Sequence, residues 1–243
     1  MANVFAVGVG PGSPDYITIK VEKIIKSCDI VIGYQYTLDT IRHLLADKEV
    51  IEITMTNQEA TYQKIKETLA DKTLVVPFTG DVNFSESEVI DRLEEIFGKV
   101  KLYAGISSVQ IAAAKTHVPL DKSRIITMHV TGSIEEKKKE LCQALESGMN
   151  VILVPRPWPK MPEKQFMPSE IAIYLEKNNI DIKSIKITVF ENLTTDKETV
   201  FSGHVKDLKG KEFSAMTIMV FNQNHSDSYM NYKWQWEDPN VPA

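Results

Sequence analysis

Short apolar runs alternate with helix-spaced stretches from the first residues of this chain onward, and that alternation limits its fold more than any other feature. Val4 to Val9 is an apolar run that ends in glycines. Residues Ile17 to Ser27 then carry Ile17, Val21, Ile24 and Ile25 at helical spacing, and Asp29 to Gly33 is a second apolar run. Strand, helix, strand is the unit from which parallel sheets are built. The spacing predicts further helices over 37–46, 58–70, 87–97 and 108–116, and strands over 50–53, 73–77 and 100–103. The class expected is α/β with mostly parallel or mixed sheets.

The character of the chain changes near Pro119. Strands are expected over 123–128, 149–154, 186–191 and 215–221, with helices over 134–145 and 169–177. The charged run Glu135 to Lys139 reads as the solvated face of its helix. A boundary between about 115 and 122 gives an N-terminal α/β domain over 1–118 and a C-terminal α/β domain over 119–222. Residues 223–243 form a polar tail with Trp234 and Trp236. With 243 residues, 43% of them apolar, the chain can bury a large core. Its net charge of −5 argues against a general nucleic-acid partner. Cys28 and Cys142 stand far apart in helix-like stretches, which suggests no disulfide framework and fits a reducing cytoplasm. The start, MANVFAVGVG, reads as a buried strand rather than a signal peptide, and no run is long enough to span a membrane.

In open parallel sheets ligands bind at the carboxyl ends of strands, so the loops after the strands are the places to look. The first is Gly8-Val9-Gly10-Pro11-Gly12-Ser13-Pro14. Its spacing is G-x-G-x-G rather than the dinucleotide G-x-G-x-x-G. Pro11 has no N–H to offer a phosphate, and the second strand ends in Gly33 with no acid poised for a ribose. The loop reads as rigid backbone that approaches a ligand closely, or as a plain turn. The second loop holds Gly80-Asp81, where the carboxylate either caps the next helix or faces a ligand. The third holds Gly105-Ile106-Ser107-Ser108, where the hydroxyls either cap a helix or join its free N–H groups at a ligand. Three such loops on one sheet should converge at one edge. No nucleophile elbow, HExxH or Walker loop is present, and the five histidines lack metal-ligand spacing. A metal-free transfer reaction is the economical reading.

At these loops the sequence resembles the tetrapyrrole (corrin/porphyrin) methylase family. VGVGPGSPDYIT is similar to the family's opening motif, TGDVNF to its Gly-Asp-Pro loop, and YAGISSVQIAAAK to its proline-glycine-x-serine segment. VFENLTTDKETVFSGHVKDL and FSAMTIMVF extend the resemblance to about residues 3–222. Val82 and Ala104 stand where the family usually has proline, and Pro155 to Lys160 differs from its usual Asp-Pro start. Within the family, GISSVQIAAAK, the ENL segment and the FSAMTIMVF ending resemble the branch that methylates C5 of precorrin-7, or of its cobalt form, in cobalamin synthesis.

The resemblance implies two α/β domains with S-adenosylmethionine in the cleft between them, in a homodimer. It implies cofactor contacts at Val9, Gly80, Asp81, Phe84, Ser107 and Ser108, and from the second half at Val154 or Pro155, Asn192, Leu193 and Met216. The corrinoid acceptor carries many carboxylates, which cations and a flat apolar surface suit. Arg156, Trp158 and Lys160 are the expected substrate-binding residues, with Lys164 nearby. Methyl transfer is an in-line displacement that asks for alignment and exclusion of water, and no residue stands out as a base. A separate partner would perform the C15 methylation and decarboxylation. The same superfamily includes diphthine synthase and rRNA 2′-O-methyltransferases, and a non-catalytic metabolite-binding module would keep the same loops.

Overall fold

In the computed structural model the described residues are 3–84, 87–158 and 161–223. They form two compact units. The first takes Met1–Ala112, Phe190–Thr199 and Met216–Ile218, and the second takes the rest of the described chain.

The first unit is built on β1 (Asn3–Gly8), β2 (Ile30–Tyr34), β3 (Glu49–Ile53), β4 (Thr73–Phe78) and β5 (Lys101–Tyr103). They form one sheet in the order β3-β2-β4-β1-β5. Every pairing in it is parallel. Both faces are covered, which is why the strands read as apolar runs without polar alternation. The period of two sends Val4, Ala6, Ile30, Ile32, Leu74 and Val76 to one face and Val7, Val31 and Val75 to the other. The first face packs on α3 (Gln58–Thr68) and α4 (Ser87–Phe97) through Tyr62, Ile65, Ile90, Leu93 and Ile96. The second packs on α1 (Ile19–Ser27) and α2 (Gln35–Thr40) through Val21, Ile24, Ile25 and Leu38. Thr18 starts α1, its hydroxyl accepting from the Val21 N–H at 3.3 Å. α5 (Ser108–Thr116) follows β5.

This wiring sends neighbouring loops to opposite faces. β1 and β4 are neighbours, yet β1 leads to α1 on one face and β4 to α4 on the other. In open parallel sheets the carboxyl ends of such strands are where ligands bind.

The second sheet runs in the order β6-β7-β10-β8-β9. It comprises β6 (Ser123–Thr127), β7 (Asn150–Val154), β8 (Lys186–Glu191), β9 (Thr199–His204) and β10 (Thr217–Asn222). It is mixed: β6 and β7 are parallel, and β10 is antiparallel to β7. α6 (Glu135–Glu146) and α7 (Pro168–Lys177) contribute Leu141, Leu145, Ile171 and Leu175 to one apolar core with Ile126, Val151 and Phe221.

Two elements depart from the sequence reading. The helix expected over 37–46 is α2 followed by a separate 3-10 turn at Arg42–Leu44. Ile41, at φ −107° and ψ 11°, breaks it. β9 is absent from the expected strands: it lies at the sheet edge with Val200 exposed, so it shows no apolar face. Trp234 and Trp236 of the expected tail lie outside the described residues. Among the described residues no helix is long and apolar enough to cross a membrane.

Candidate functional site

The three loops expected to converge do so by interlocking backbones. β5, β1 and β4 lie side by side, so the loops after them leave from one edge. Gly10 and Gly80 form an isolated antiparallel bridge, with the Gly80 N–H donating to the Gly10 carbonyl at 2.7 Å. Both glycines adopt left-handed backbone, at φ +85° and +75°, which a side chain would strain. A Cβ at Gly8 would lie 2.5 Å from the Gly80 oxygen and 2.6 Å from the Gly105 nitrogen. A Cβ at Gly105 would lie 2.2 Å from the same Gly80 oxygen. Three chain segments therefore touch through glycine alone.

Asp81 ties this junction together. Its Oδ2 accepts from the Gly105 N–H at 2.7 Å and its Oδ1 from the Asn83 N–H at 2.8 Å. α4 begins only at Ser87, so Asp81 does not cap it. Of the two readings left open by the sequence, capping is removed. A structural role binding the second loop to the third stands in its place.

Ser107 is a helix cap. Its Oγ accepts from the Val109 N–H at 3.2 Å while the Gln110 side chain accepts from the Ser107 N–H at 2.7 Å. The Gln110 bond is the N3 half of a capping box, written in the sequence as S-x-x-Q, while the Ser107 hydroxyl caps the N2 amide. Ser107 is buried and Ser108 half-buried, and a Cβ at Gly80 would lie 4.0 Å from the Ser108 nitrogen. The Val9 side chain is fully buried in the core, so Val9 offers the site backbone only, its N–H donating to the Phe78 carbonyl at 2.9 Å. Phe84, half-buried, stands at the end of the second loop.

Asn192, Leu193 and Met216 are late in the sequence, yet they fall within the first unit. The Asn192 N–H donates to the Met216 carbonyl at 2.9 Å. Leu193 is buried and Met216 is partly exposed. The turn they start reaches the opening loop, where Thr194 Oγ1 accepts from the Ser13 N–H at 3.0 Å. Thr194 holds φ +72° and Asn192 φ +48°. For a β-branched residue such a conformation is rare and costs about 1–3 kcal/mol. Beside it the Tyr36 hydroxyl is buried without a hydrogen-bond partner, and burial raises its pKa. Next in the chain, the Thr37 hydroxyl meets that of Thr79 at 3.1 Å. Neither Thr194 nor Tyr36 carries a signal in the sequence pattern.

Val154 and Pro155 lie in the second unit, at the end of β7, where the Val154 carbonyl accepts from the Met128 N–H at 2.8 Å. Arg156 is only 7% exposed. Its Nε donates to the Lys164 carbonyl at 2.6 Å and its Nη1 to the Gly132 carbonyl at 3.0 Å. Two cations lie over the Trp158 ring, the Arg156 guanidinium at 5.2 Å and the Lys164 ammonium at 5.3 Å from its centroid. Arg156 and Lys164 border a cavity of about 350 Å³ with Thr131, Ser133 and Glu135. Lys160 lies outside the described residues. Among the described residues no group of three or more His, Cys, Asp or Glu is placed to hold a metal ion.

Residues 3–209 match the model of the tetrapyrrole (corrin/porphyrin) methylases. A probable cobalt-precorrin-7 C(5)-methyltransferase of Methanocaldococcus jannaschii is 30% identical over 222 residues, covering 90% of this chain and 97% of the relative. A cobalt-precorrin-4 C(11)-methyltransferase of the same organism is 27% identical over 86% of this chain and 81% of its own length. Among solved structures, the methyltransferase CobJ superposes with a TM-score of 0.73 at 16% identity, covering 92% of this chain and 95% of its own. The cobalamin biosynthesis precorrin-6Y methylase (CbiE) of Archaeoglobus fulgidus gives 0.64 at 18% identity, over 91% and 98%. The fold is that of these methylases. The sequence match, which extends across both units, settles the family: the chain belongs to the tetrapyrrole methylases and is a methyltransferase.

Proposed function

We propose that this chain transfers a methyl group from S-adenosylmethionine to C5 of precorrin-7 or cobalt-precorrin-7 in cobalamin biosynthesis. The observation that carries the reading is the 30% identity, over 90% of the chain, to a relative named for that step.

The residues at the strand ends suit such a cofactor. Gly8, Gly10 and Gly105 have no space for a Cβ and Gly80 holds φ +75°, so the strand ends present backbone rather than side chains to a ligand. Pro11 withholds the N–H a phosphate would want, and the Asp81 carboxylate at the junction favours a cation over an anion. The backbone of Val9 and Gly80, with Asp81, Phe84, Ser107 and Ser108, would hold the cofactor together with Asn192, Leu193 and Met216, and Val154 and Pro155 would complete its contacts. When bound, the sulfonium supplies an activated methyl group. The chain's own part is to bind, align and exclude water.

For the acceptor we assign Arg156, Trp158 and Lys160. Arg156 is pinned by backbone carbonyls, so its remaining N–H groups are offered in one fixed orientation toward carboxylates. A homodimer and a separate partner for the C15 step complete the proposal.

The test is incubation of the purified protein with S-adenosylmethionine and either precorrin-7 or its cobalt form, followed by mass spectrometry and NMR of the product. A gain of one methyl group at C5 supports the reading. Methylation of a precorrin-4 or factor III acceptor instead, as the names of other relatives would have it, overturns the C5 assignment and leaves the family intact.

A further inference from the structure

The turn after β8 does more than connect two strands. It seats on the opening loop so closely that Gly12 has no room for a methyl group. A Cβ there would lie 2.6 Å from Thr195 Cγ2, 3.1 Å from the Tyr36 hydroxyl and 3.2 Å from the Leu193 carbonyl oxygen. One hydrogen bond crosses this contact, from the Ser13 N–H to Thr194 Oγ1. The turn is braced from its own side: the Thr194 N–H donates to the Glu198 carboxylate at 2.7 Å and Thr195 Oγ1 to the Asn192 carbonyl at 2.8 Å. A connector with no other task would not hold a threonine at φ +72°, and the Tyr36 hydroxyl of α2, also packed against Gly12, is buried without a partner. Such unfavourable features persist only where surrounding contacts impose them, and they gather where a position matters.

We infer that Thr194 is a positioning residue: its hydroxyl latches the 192–195 turn to Gly12 and Ser13, and so fixes Asn192 and Leu193 against the loop after β1. The bond joins residues 181 positions apart in sequence, so local chain geometry cannot hold the two segments together in its place. The latch sets how the Leu193 backbone seats against the opening loop. Losing the hydroxyl leaves every cofactor-facing group in place but frees the wall that two of them stand on. This rests on the proposal that Asn192 and Leu193 contact S-adenosylmethionine.

The test uses Thr194→Val, which keeps the shape and removes the acceptor, Thr194→Ser, which keeps the acceptor, and Thr194→Gly, which removes both the acceptor and the backbone strain. Calorimetry with S-adenosylhomocysteine should show affinity weaker by about tenfold for Thr194→Val and within about twofold of wild type for Thr194→Ser. For Thr194→Gly the melting temperature of the unliganded protein should hold or rise while affinity falls. That opposition separates positioning from simple support, because a merely structural residue would move both in the same direction. Amide exchange at Ser13 should accelerate in Thr194→Val and not in Thr194→Ser. Wild-type affinity in Thr194→Val, or a loss that Thr194→Ser does not rescue, overturns the inference. If the wild type binds no S-adenosylhomocysteine, the cofactor proposal fails instead, and unchanged Ser13 exchange in Thr194→Val would then sink the latch independently.

Discussion

Asp81 offers the sharpest separation between holding the site and serving the ligand. Its two oxygens accept from two different backbone N–H groups, Gly105 on the third loop and Asn83 on its own. A hydrogen bond to a charged group contributes about 1.5–3 kcal/mol when partly shielded from water. The Gly105 bond is part-buried and the Asn83 bond is exposed, so most of the effect belongs to the first. Asp81→Ala leaves the Gly105 N–H without its acceptor and should cost about 2 kcal/mol. Asp81→Asn keeps one oxygen, which turns to Gly105, and places its NH2 against the Asn83 N–H. The cost should fall to about 1 kcal/mol.

For a chain of this size each kcal/mol lowers the melting temperature by about 2–4 °C. Scanning calorimetry without ligand should therefore show a drop of about 4–8 °C for Asp81→Ala and about half that for Asp81→Asn. Amide exchange gives a local reading of the same energy: Gly105 should exchange at least about tenfold faster in Asp81→Ala, since about 1.4 kcal/mol is tenfold in an equilibrium constant. If unliganded stability and Gly105 exchange are both unchanged while S-adenosylhomocysteine affinity collapses, the reasoning is refuted, and Asp81 acts on the ligand and not on the loops.

Other consequences follow from the same geometry. Gly105→Ala places a methyl 2.2 Å from a backbone oxygen that has nowhere to go, and should destabilise by more than about 3 kcal/mol; Gly98→Ala, in open space at φ +80°, should cost only about 1 kcal/mol in the same melts. Burial pushes the Cys28 thiol up to about 11, above its unfolded value near about 8.5. The folded state prefers the neutral thiol, so this contribution is complete below about pH 8.5 and is lost as pH rises through about 11. Denaturant melts over that range should show the decline, and Cys28→Ala should remove its share. Arg156→Lys cannot reach both the Lys164 and Gly132 carbonyls with a planar fork, and limited proteolysis should find the 156–166 segment cut faster than in wild type.

Much of the architecture can be read from the chain because the first sheet is buried on both faces. Such strands are apolar throughout, and β1, β2 and β4 stand out as DIVIG-like runs within a residue or so of their ends. The helices α4 and α5 are legible from their apolar spacing and flanking turns. β9 is hidden because an exposed edge strand has no buried face to mark it. The break at Ile41 is hidden because a pattern of apolar residues does not report a local change of backbone angle. In the site, the glycines announce close approach, and the S-x-x-Q spacing from Ser107 to Gln110 spells the cap. Asp81's partner cannot be found this way, since Gly105 is 24 residues away and offers only a backbone N–H. Nor can Thr194, because nothing in a threonine's identity suggests φ +72°. A division of the chain at one point also cannot show that 190–199 and 216–218 group with the first unit.

The interlock of Gly8, Gly80 and Gly105 bears on how acceptor choice can arise in such a protein. Gly8 and Gly105 have no space for a Cβ and Gly80 holds φ +75°, so side-chain exchange at these positions cannot retune the site without disturbing the junction. The part of the site that can vary must lie elsewhere. The relatives named for C5 and C11 methylation match most of this chain, so the fold by itself does not choose the carbon. In the present chain the segment after β7 is a different kind of surface: Arg156 is fixed by two carbonyls, two cations lie over the Trp158 ring, and a cavity opens beside them. Side chains there can change without touching the glycine junction. Exchanging residues 156–166 for those of a C11-type relative should therefore alter the preferred acceptor and its KM while leaving S-adenosylhomocysteine affinity near that of the parent, whereas a swap that lowers both equally would mean that cofactor and acceptor recognition are not separable in this way.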